Sequence, residues 1–174
     1  MSWIIRPFAQ GDLEAINSIY NHYISNTSIT FDIDEWTMEK REAWLAKLQK
    51  HPGMYHLLVA EIDGSVVGFA YNNEFREKLA YQTSTEVTIY LKPDMSVKGL
   101  GSALLSHLIS DMKKSAFRRA YSLITLPNQV SEALHRKFGF VQVGQMTEVG
   151  FKFGQFHDVA IYELPLHSGN TPKG

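Results

Sequence analysis

The sequence predicts a mixed α/β fold, with a largely antiparallel central sheet of about seven strands and helices on both faces. Three observations lead there. Residues 86–91 alternate Val87, Ile89 and Leu91 with Glu86, Thr88 and Tyr90, then run through Pro93 into a glycine turn and an amphipathic helix. Two apolar runs, residues 57–61 and 66–71, flank Ile62-Asp63-Gly64-Ser65, a strong hairpin signal because Asp-Gly suits positive φ. The chain as a whole orders as β-α-α-β-β-β-α-β-α-β-β, in which long hairpins surround a single β-α-β crossover.

Each element has its local reason. Trp3-Ile4-Ile5-Arg6 reads as a short strand closed by Pro7. Residues 12–23 form a helix with Leu13, Ile16, Ile19, Tyr20 and Tyr23 on its apolar side and acids in its first turn. Residues 26–34 are a loop containing Thr30-Phe31-Asp32. Thr37 caps a second helix reaching Gln49, with Met38, Trp44, Leu45 and Leu48 inward. The Asp-Gly hairpin follows, then a polar, basic loop over residues 72–82 with Phe75, Arg76, Lys78 and Tyr81. Pro93 ends the central strand, since proline cannot donate to a ladder. In the next helix Leu104, Leu105, Leu108, Ile109 and Met112 share one face, while Ser106, Ser110, Asp111 and Lys113 take the other. Residues 119–125 are a strand, and residues 131–138 a short helix stopped by Gly139. Residues 140–149 and 157–164 close the sheet as an antiparallel pair, linked by Gly150-Phe151-Lys152-Phe153-Gly154.

Length and composition bound the function. A chain of 174 residues suits one domain, assigned to residues 1–166, with residues 167–174 expected to be a disordered tail. A net charge of −1 gives no electrostatic case for nucleic acid or an anionic membrane as partner. The absence of cysteine excludes disulfides, thiolate metal sites and a cysteine nucleophile, and is compatible with the cytoplasm. No apolar run approaches a signal peptide or a membrane span. No H-x-x-x-H or H-E-x-x-H spacing occurs, so no metal is expected. Trp3, Trp36 and Trp44 read as core or interface anchors, His22 as a complement to a helix C-terminus, and His157-Asp158 as a structural polar pair.

The strand–turn–helix unit is where chemistry concentrates. First-turn N–H groups of a helix have no intrahelical partner and carry partial positive charge. Gly99 and Gly101 admit a phosphate close to the backbone, and Lys98 adds charge. Neither a P-loop nor a dinucleotide fingerprint is present. Ser96 to Gly101 resembles the pyrophosphate motif of the GNAT acetyltransferases, [Q/R]-x-x-G-x-[G/A], with Ser96 in place of the leading Gln/Arg. Asn128, Ser131, Leu134, His135, Gly139 and Phe140 are similar to that family's N-x-x-[AS]-x-x-L-[YH]-x-x-x-G-F. Histidine at 135, with Ile19-Tyr20-Asn21-His22, Thr30-Phe31, Glu86-x-Thr88-x-Tyr90, Leu126-Pro127-Asn128 and the stretch from Gly150 to Asp158, narrows the resemblance to the phosphinothricin/methionine sulfone branch.

That resemblance implies acetyl-CoA as cosubstrate, bound by the backbone from Val97 through Lys98, Gly99, Leu100 and Gly101 to Ser102, with Asn128 and Ser131 beside it. It implies transfer to the amino group of phosphinothricin, methionine sulfone or methionine sulfoximine, and a homodimer built on the closing strands. Amide formation needs a base, oxyanion donors and a proton for the thiolate. Glu86 can be the base, or a strand carboxylate paired with Arg76 or Lys78. The backbone N–H of Tyr90 or Leu91 can face the oxyanion, and His135 can protonate the thiolate or simply pack under the sheet. Arg76 and Lys78 can bind the acceptor's anion or belong to a solvated surface loop, and Phe31, Thr88 and Tyr90 can line its pocket, with Phe31 alternatively a core residue. The alternatives are another amine acceptor, or a coenzyme A-binding sensor without turnover.

Overall fold

Several turns and helix starts in the structure answer to a local residue. The computed structural model describes residues 2–95 and 97–167. Its strands are β1 (Ile4–Pro7), β2 (Leu57–Ile62), β3 (Ser65–Glu74), β4 (Ser84–Leu91), β5 (Arg119–Thr125), β6 (Val141–Lys152) and β7 (Gln155–Pro165). They form one sheet in the order β1-β2-β3-β4-β5-β7-β6. Asp63 and Gly64 turn the β2–β3 hairpin at φ 48° and 77°, the left-handed pair that a two-residue loop demands. Every neighbouring pair is antiparallel except β4 with β5. That parallel ladder is short. It holds Ser84, Thr85 and Glu86 against Arg119, Ala120 and Tyr121.

Four helices cover the sheet: α1 (Leu13–Asn26), α2 (Met38–Gln49), α3 (Leu100–Met112) and α4 (Gln129–Lys137). The leucine stripe of α3 does what its spacing predicts. Leu100, Leu104, Leu105, Leu108 and Met112 are wholly buried in a core with Val87, Ala120, Ile124 and Tyr162. Each side chain hidden this way contributes roughly 2 kcal/mol. Leu134 and Phe138 of α4 pack on the same core. The opposite face carries a second core, in which Ile16, Ile19 and Ile24 of α1 meet Val59, Phe69 and Tyr90. Strand alternation divides β4 between the two cores, Val87 to one and Tyr90 to the other. The Thr37 hydroxyl accepts from the Lys40 N–H at 3.2 Å and caps α2.

Some local expectations are corrected. Met38 is not inward but exposed, at the first position of α2 and two turns before the buried Leu45. The segment from Gly150 to Lys152 is not a linker but the end of β6, and Phe153 and Gly154 alone make the turn at φ 52° and 75°. The loop after β3 shortens, since β3 runs on to Glu74 and a 3-10 turn spans Leu79–Thr83. Ser96 and the tail from residue 168 lie outside the described residues.

Candidate active site

The site begins where β4 and β5 stop pairing. Glu86 is the last β4 residue in register with β5, and β4 continues to Leu91 alongside β3 alone. A cavity of about 330 Å³ occupies this gap. Val87 and Ile89 reach it from the α3 side, and Glu86, Thr88 and Tyr90 from the α1 side, so it passes between the faces of the sheet. The Lys92 N–H donates to the Val67 carbonyl at 2.7 Å. By alternation the Tyr90 N–H also faces β3, whereas those of Ile89 and Leu91 face the gap. Of the two backbone donors the sequence left open, geometry therefore selects Leu91.

Phe31, Glu86, Thr88, Tyr90, Asn128, Ser131 and His135 all line this one cavity. Burial pushes the Glu86 carboxyl up from 4.5 to about 7, and the charge of Arg76 partly opposes the rise. Glu86 thus exchanges its proton near neutrality. His135 is 1% exposed. Its Nδ1 lies 2.7 Å from the Ser131 carbonyl, which can only accept, so Nδ1 carries the hydrogen. Nε2 then presents a lone pair, and it is buried without a protein partner. Burial also lowers the His135 pKa below 6.5. The resting imidazole is therefore neutral, with Nε2 free to accept a proton. Asn128 holds this arrangement in place. Its Oδ1 accepts from the Ser131 N–H at 3.1 Å and caps α4.

The N-terminus of α3 adjoins the gap. Gly99 is its cap at φ 92°, and a Cβ placed there would meet nothing within 4 Å, so the approach to the backbone is open. Leu100 is wholly buried, leaving only its backbone available to a ligand. Val97 accepts from the Leu100 N–H, and Lys98 is exposed. The N–H groups of Gly101 and Ser102 lie in the first turn, where the helix itself supplies no acceptor. A Cβ on Gly101 would sit 3.6 Å from Leu91 and Leu134, which ties this turn to β4 and α4. The sequence reading missed Lys137, whose Nζ donates to the Ser102 hydroxyl at 3.0 Å and brings a second cation to the turn. Its position at the far end of α4, about two turns beyond Ser131, gave no sign of the approach between helices.

The α1 side of the cavity is aromatic. Tyr20, Tyr71 and Tyr90 line the cavity. Behind them lies Arg41, also missed, at 1% exposure. Its guanidinium stands 4.7, 4.2 and 4.8 Å from the rings of Tyr20, Trp36 and Trp44, and its Nε donates to Asn17 Oδ1 at 3.1 Å. Arg41 falls four residues before Leu45 and seven before Leu48, on the apolar stripe of α2, and that phase is the signal that marks it. Arg76 and Lys78 are exposed and outside the cavity lining. Arg76 rests its guanidinium 5.1 Å from the Phe75 ring, and Phe75 stacks on Tyr121, the register partner of Glu86.

Comparison with known proteins agrees with this geometry. Residues 5–161 match the acetyltransferase (GNAT) domain family. A phosphinothricin N-acetyltransferase of Streptomyces coelicolor is 42% identical over 93% of this chain and 95% of its own. An L-methionine sulfoximine/L-methionine sulfone acetyltransferase of Pseudomonas aeruginosa is 31% identical over 95% of this chain and 96% of its own. The crystal structure of a phosphinothricin acetyltransferase from Sinorhizobium meliloti, in complex with acetyl-CoA, superposes with a TM-score of 0.91 at 31% identity, covering 99% of this chain and 95% of that one. A strand gap lined by a proton-exchanging carboxylate, a helix N-terminus beside it and these relatives together place the chain in the GNAT acetyltransferase family.

Proposed function

We propose that the protein transfers the acetyl group of acetyl-CoA to the α-amino group of phosphinothricin, methionine sulfone or methionine sulfoximine. One observation carries the chemistry: a half-buried carboxyl raised to about 7 shares a cavity with a buried, unpartnered imidazole nitrogen. The acceptor class follows from relatives that act on these compounds and cover nearly the whole chain.

The backbone of Val97, Lys98, Gly99, Leu100, Gly101 and Ser102, with Lys137 behind it, would hold the pyrophosphate, and Asn128 and Ser131 would border the pantetheine arm. Acetyl-CoA supplies an acyl carbon already activated as a thioester. Glu86 takes a proton from the acceptor's ammonium and so frees the nitrogen lone pair for attack. The Leu91 N–H, aided by that of Ile89, faces the oxygen on which negative charge develops. His135 enters neutral, so the proton it gives to the departing sulfur first reaches Nε2 from the attacking nitrogen. The balance is one amide and one thiol formed, with a single proton left on Glu86 for release to water. No acyl-enzyme is required, since the rate gain comes from holding both reactants in one site. Phe31, Thr88 and Tyr90 would border the acceptor. Arg76, whose charge reaches Glu86 from outside the lining, would meet its carboxylate or phosphinate, and Lys78 on the same exposed loop would add to that charge.

The acting form is a homodimer in this reading. β6 is an edge strand of 12 residues. Val143, Val149, Phe151, Phe153 and Phe156 on the β6–β7 ribbon are each half or more exposed. An edge this long and this apolar calls for a cover. Sedimentation of Phe151→Ser/Phe156→Ser as a monomer, against a dimeric parent, would support it, and a monomeric parent at micromolar concentration would defeat it.

Thiol release from acetyl-CoA tests the reaction, using phosphinothricin, methionine sulfone, methionine sulfoximine, common amino acids, spermidine and a peptide N-terminus. Saturable release with any of the first three is expected. Release confined to another amine would retain the chemistry and overturn the acceptor. Silence across the panel, with acetyl-CoA still bound, would favour a sensor.

A further inference from the structure

Lysine is seldom fully buried without a carboxylate, because its ammonium loses strong hydration. Lys152, at the end of β6, is 4% exposed, and no carboxylate lies within ion-pair distance of it among the described residues. Its Nζ donates to the Thr30 carbonyl at 2.9 Å and stands 5.2 Å from the Phe153 ring. Thr30 belongs to the loop between α1 and α2, and Ile29, Thr30 and Phe31 form one wall of the cavity. The direct partner of this buried charge is therefore a backbone carbonyl of the cavity wall, 122 residues away, and the Asp32 carboxylate of the same loop supports the ammonium at longer range.

Two further contacts join the same loop to the same ribbon. A Cβ on Gly150 would fall 2.3 Å from the Phe31 ring, so that ring fills the space of the missing side chain. His157, on β7, stands 6.3 Å from Phe31 by ring centroid, and its Nε2 donates to the Lys152 carbonyl at 3.0 Å. Thr30 is otherwise held by the Tyr20 hydroxyl at 2.9 Å, which also binds Asp32.

We propose that Lys152 is a positioning residue for the acceptor site, its ammonium drawing the Thr30 backbone onto the β6–β7 ribbon so that Phe31 seats against Gly150. The consequence for acceptor binding rests on the reaction proposed above; the holding of the loop does not. Lys152 touches neither the gap between β4 and β5 nor the α3 N-terminus, so its influence falls on the acceptor and not on acetyl-CoA.

The test uses Lys152→Met, which keeps length and removes the charge, and Gly150→Ala, which leaves the lysine and fills the slot. Amide hydrogen exchange of the unliganded protein is measured over residues 27–34 and, as reference, over α3 and α4. Steady-state kinetics are measured with acetyl-CoA and whichever acceptor the parent turns over. Both variants are expected to speed exchange in residues 27–34 alone. Lys152→Met is expected to raise the acceptor KM by about tenfold or more, the loss of one charged hydrogen bond, and Gly150→Ala to raise it in the same direction by displacing Phe31, with the acetyl-CoA KM unchanged in both. Exchange at residues 27–34 unchanged in Lys152→Met overturns the proposal whatever Gly150→Ala does, as does an equal rise in both KM values, which marks general damage. If the parent acetylates no acceptor, the reaction proposed above falls while the exchange result still decides the role of Lys152.

Discussion

Replacing Glu86 with glutamine is expected to stabilise the fold while abolishing turnover, and the size of the gain follows from where the carboxylate sits. Burial lifts the carboxyl from 4.5 to about 7. Between those values the folded protein keeps a proton that the unfolded chain has released, so stability falls as pH rises through that window. At about 1.36 kcal/mol per pH unit the penalty is about 3 kcal/mol once pH is well above 7. Glu86 retains some contact with solvent, which brings the expected figure to about 2 kcal/mol. Glutamine is isosteric and uncharged. Glu86→Gln should therefore exceed the parent by about 2 kcal/mol at pH 8, and by under about 1 kcal/mol at pH 5. Urea unfolding of both proteins at the two pH values, with equal m-values, gives the comparison. A stability difference independent of pH, or a parent more stable than the variant at pH 8, would refute the buried-carboxylate account. The same variant should lose about a hundredfold or more in kcat.

Other expectations follow from named contacts. In the parent, kcat/KM should rise with pH through about 7 as Glu86 ionises, and Glu86→Gln should lose that limb. Gly68→Ala should lower stability by about 1–3 kcal/mol in urea unfolding, since its Cβ would lie 2.6 Å from Leu91 Cδ2 and 3.0 Å from the Tyr90 carbonyl. Asn128→Ala removes the α4 cap and should cost about 1 kcal/mol, read as a lower Tm. Lys137→Ala withdraws the ammonium held at Ser102 and should weaken acetyl-CoA about threefold to fivefold at low salt in a binding titration.

What the sequence disclosed is what local chemistry controls. The Asp63-Gly64 turn, the Thr37 cap and the leucine stripe of α3 depend on neighbours in the chain, and each forms as its residues predict. The face of β4 that carries Glu86, Thr88 and Tyr90 was legible for the same reason, since alternation is a local rule. The rest depends on encounters across the fold. Gly150 reads as a turn glycine, yet it is needed because the Phe31 ring arrives from more than a hundred residues away. Phe153 occupies a left-handed turn that aromatic residues rarely favour, so the tight β6–β7 turn gave no warning. Arg41 and Lys152 look like surface charges until the aromatic rings and the carbonyl that enclose them are in place.

The shortness of the β4–β5 ladder has a mechanical meaning. Strands β1 to β4 come from residues 4–91 and strands β5 to β7 from residues 119–165, so the sheet consists of two pieces, each continuous in the chain. Three residue pairs stitch the pieces together along their shared seam, with α3 laid across as a strap. Such a seam yields before either piece does, because few hydrogen bonds must break to part it. A molecule lodged in the gap touches both pieces and adds its own binding free energy to the stitching. The feature that opens a cavity through the sheet is thus also the place where occupancy most tightens the whole molecule.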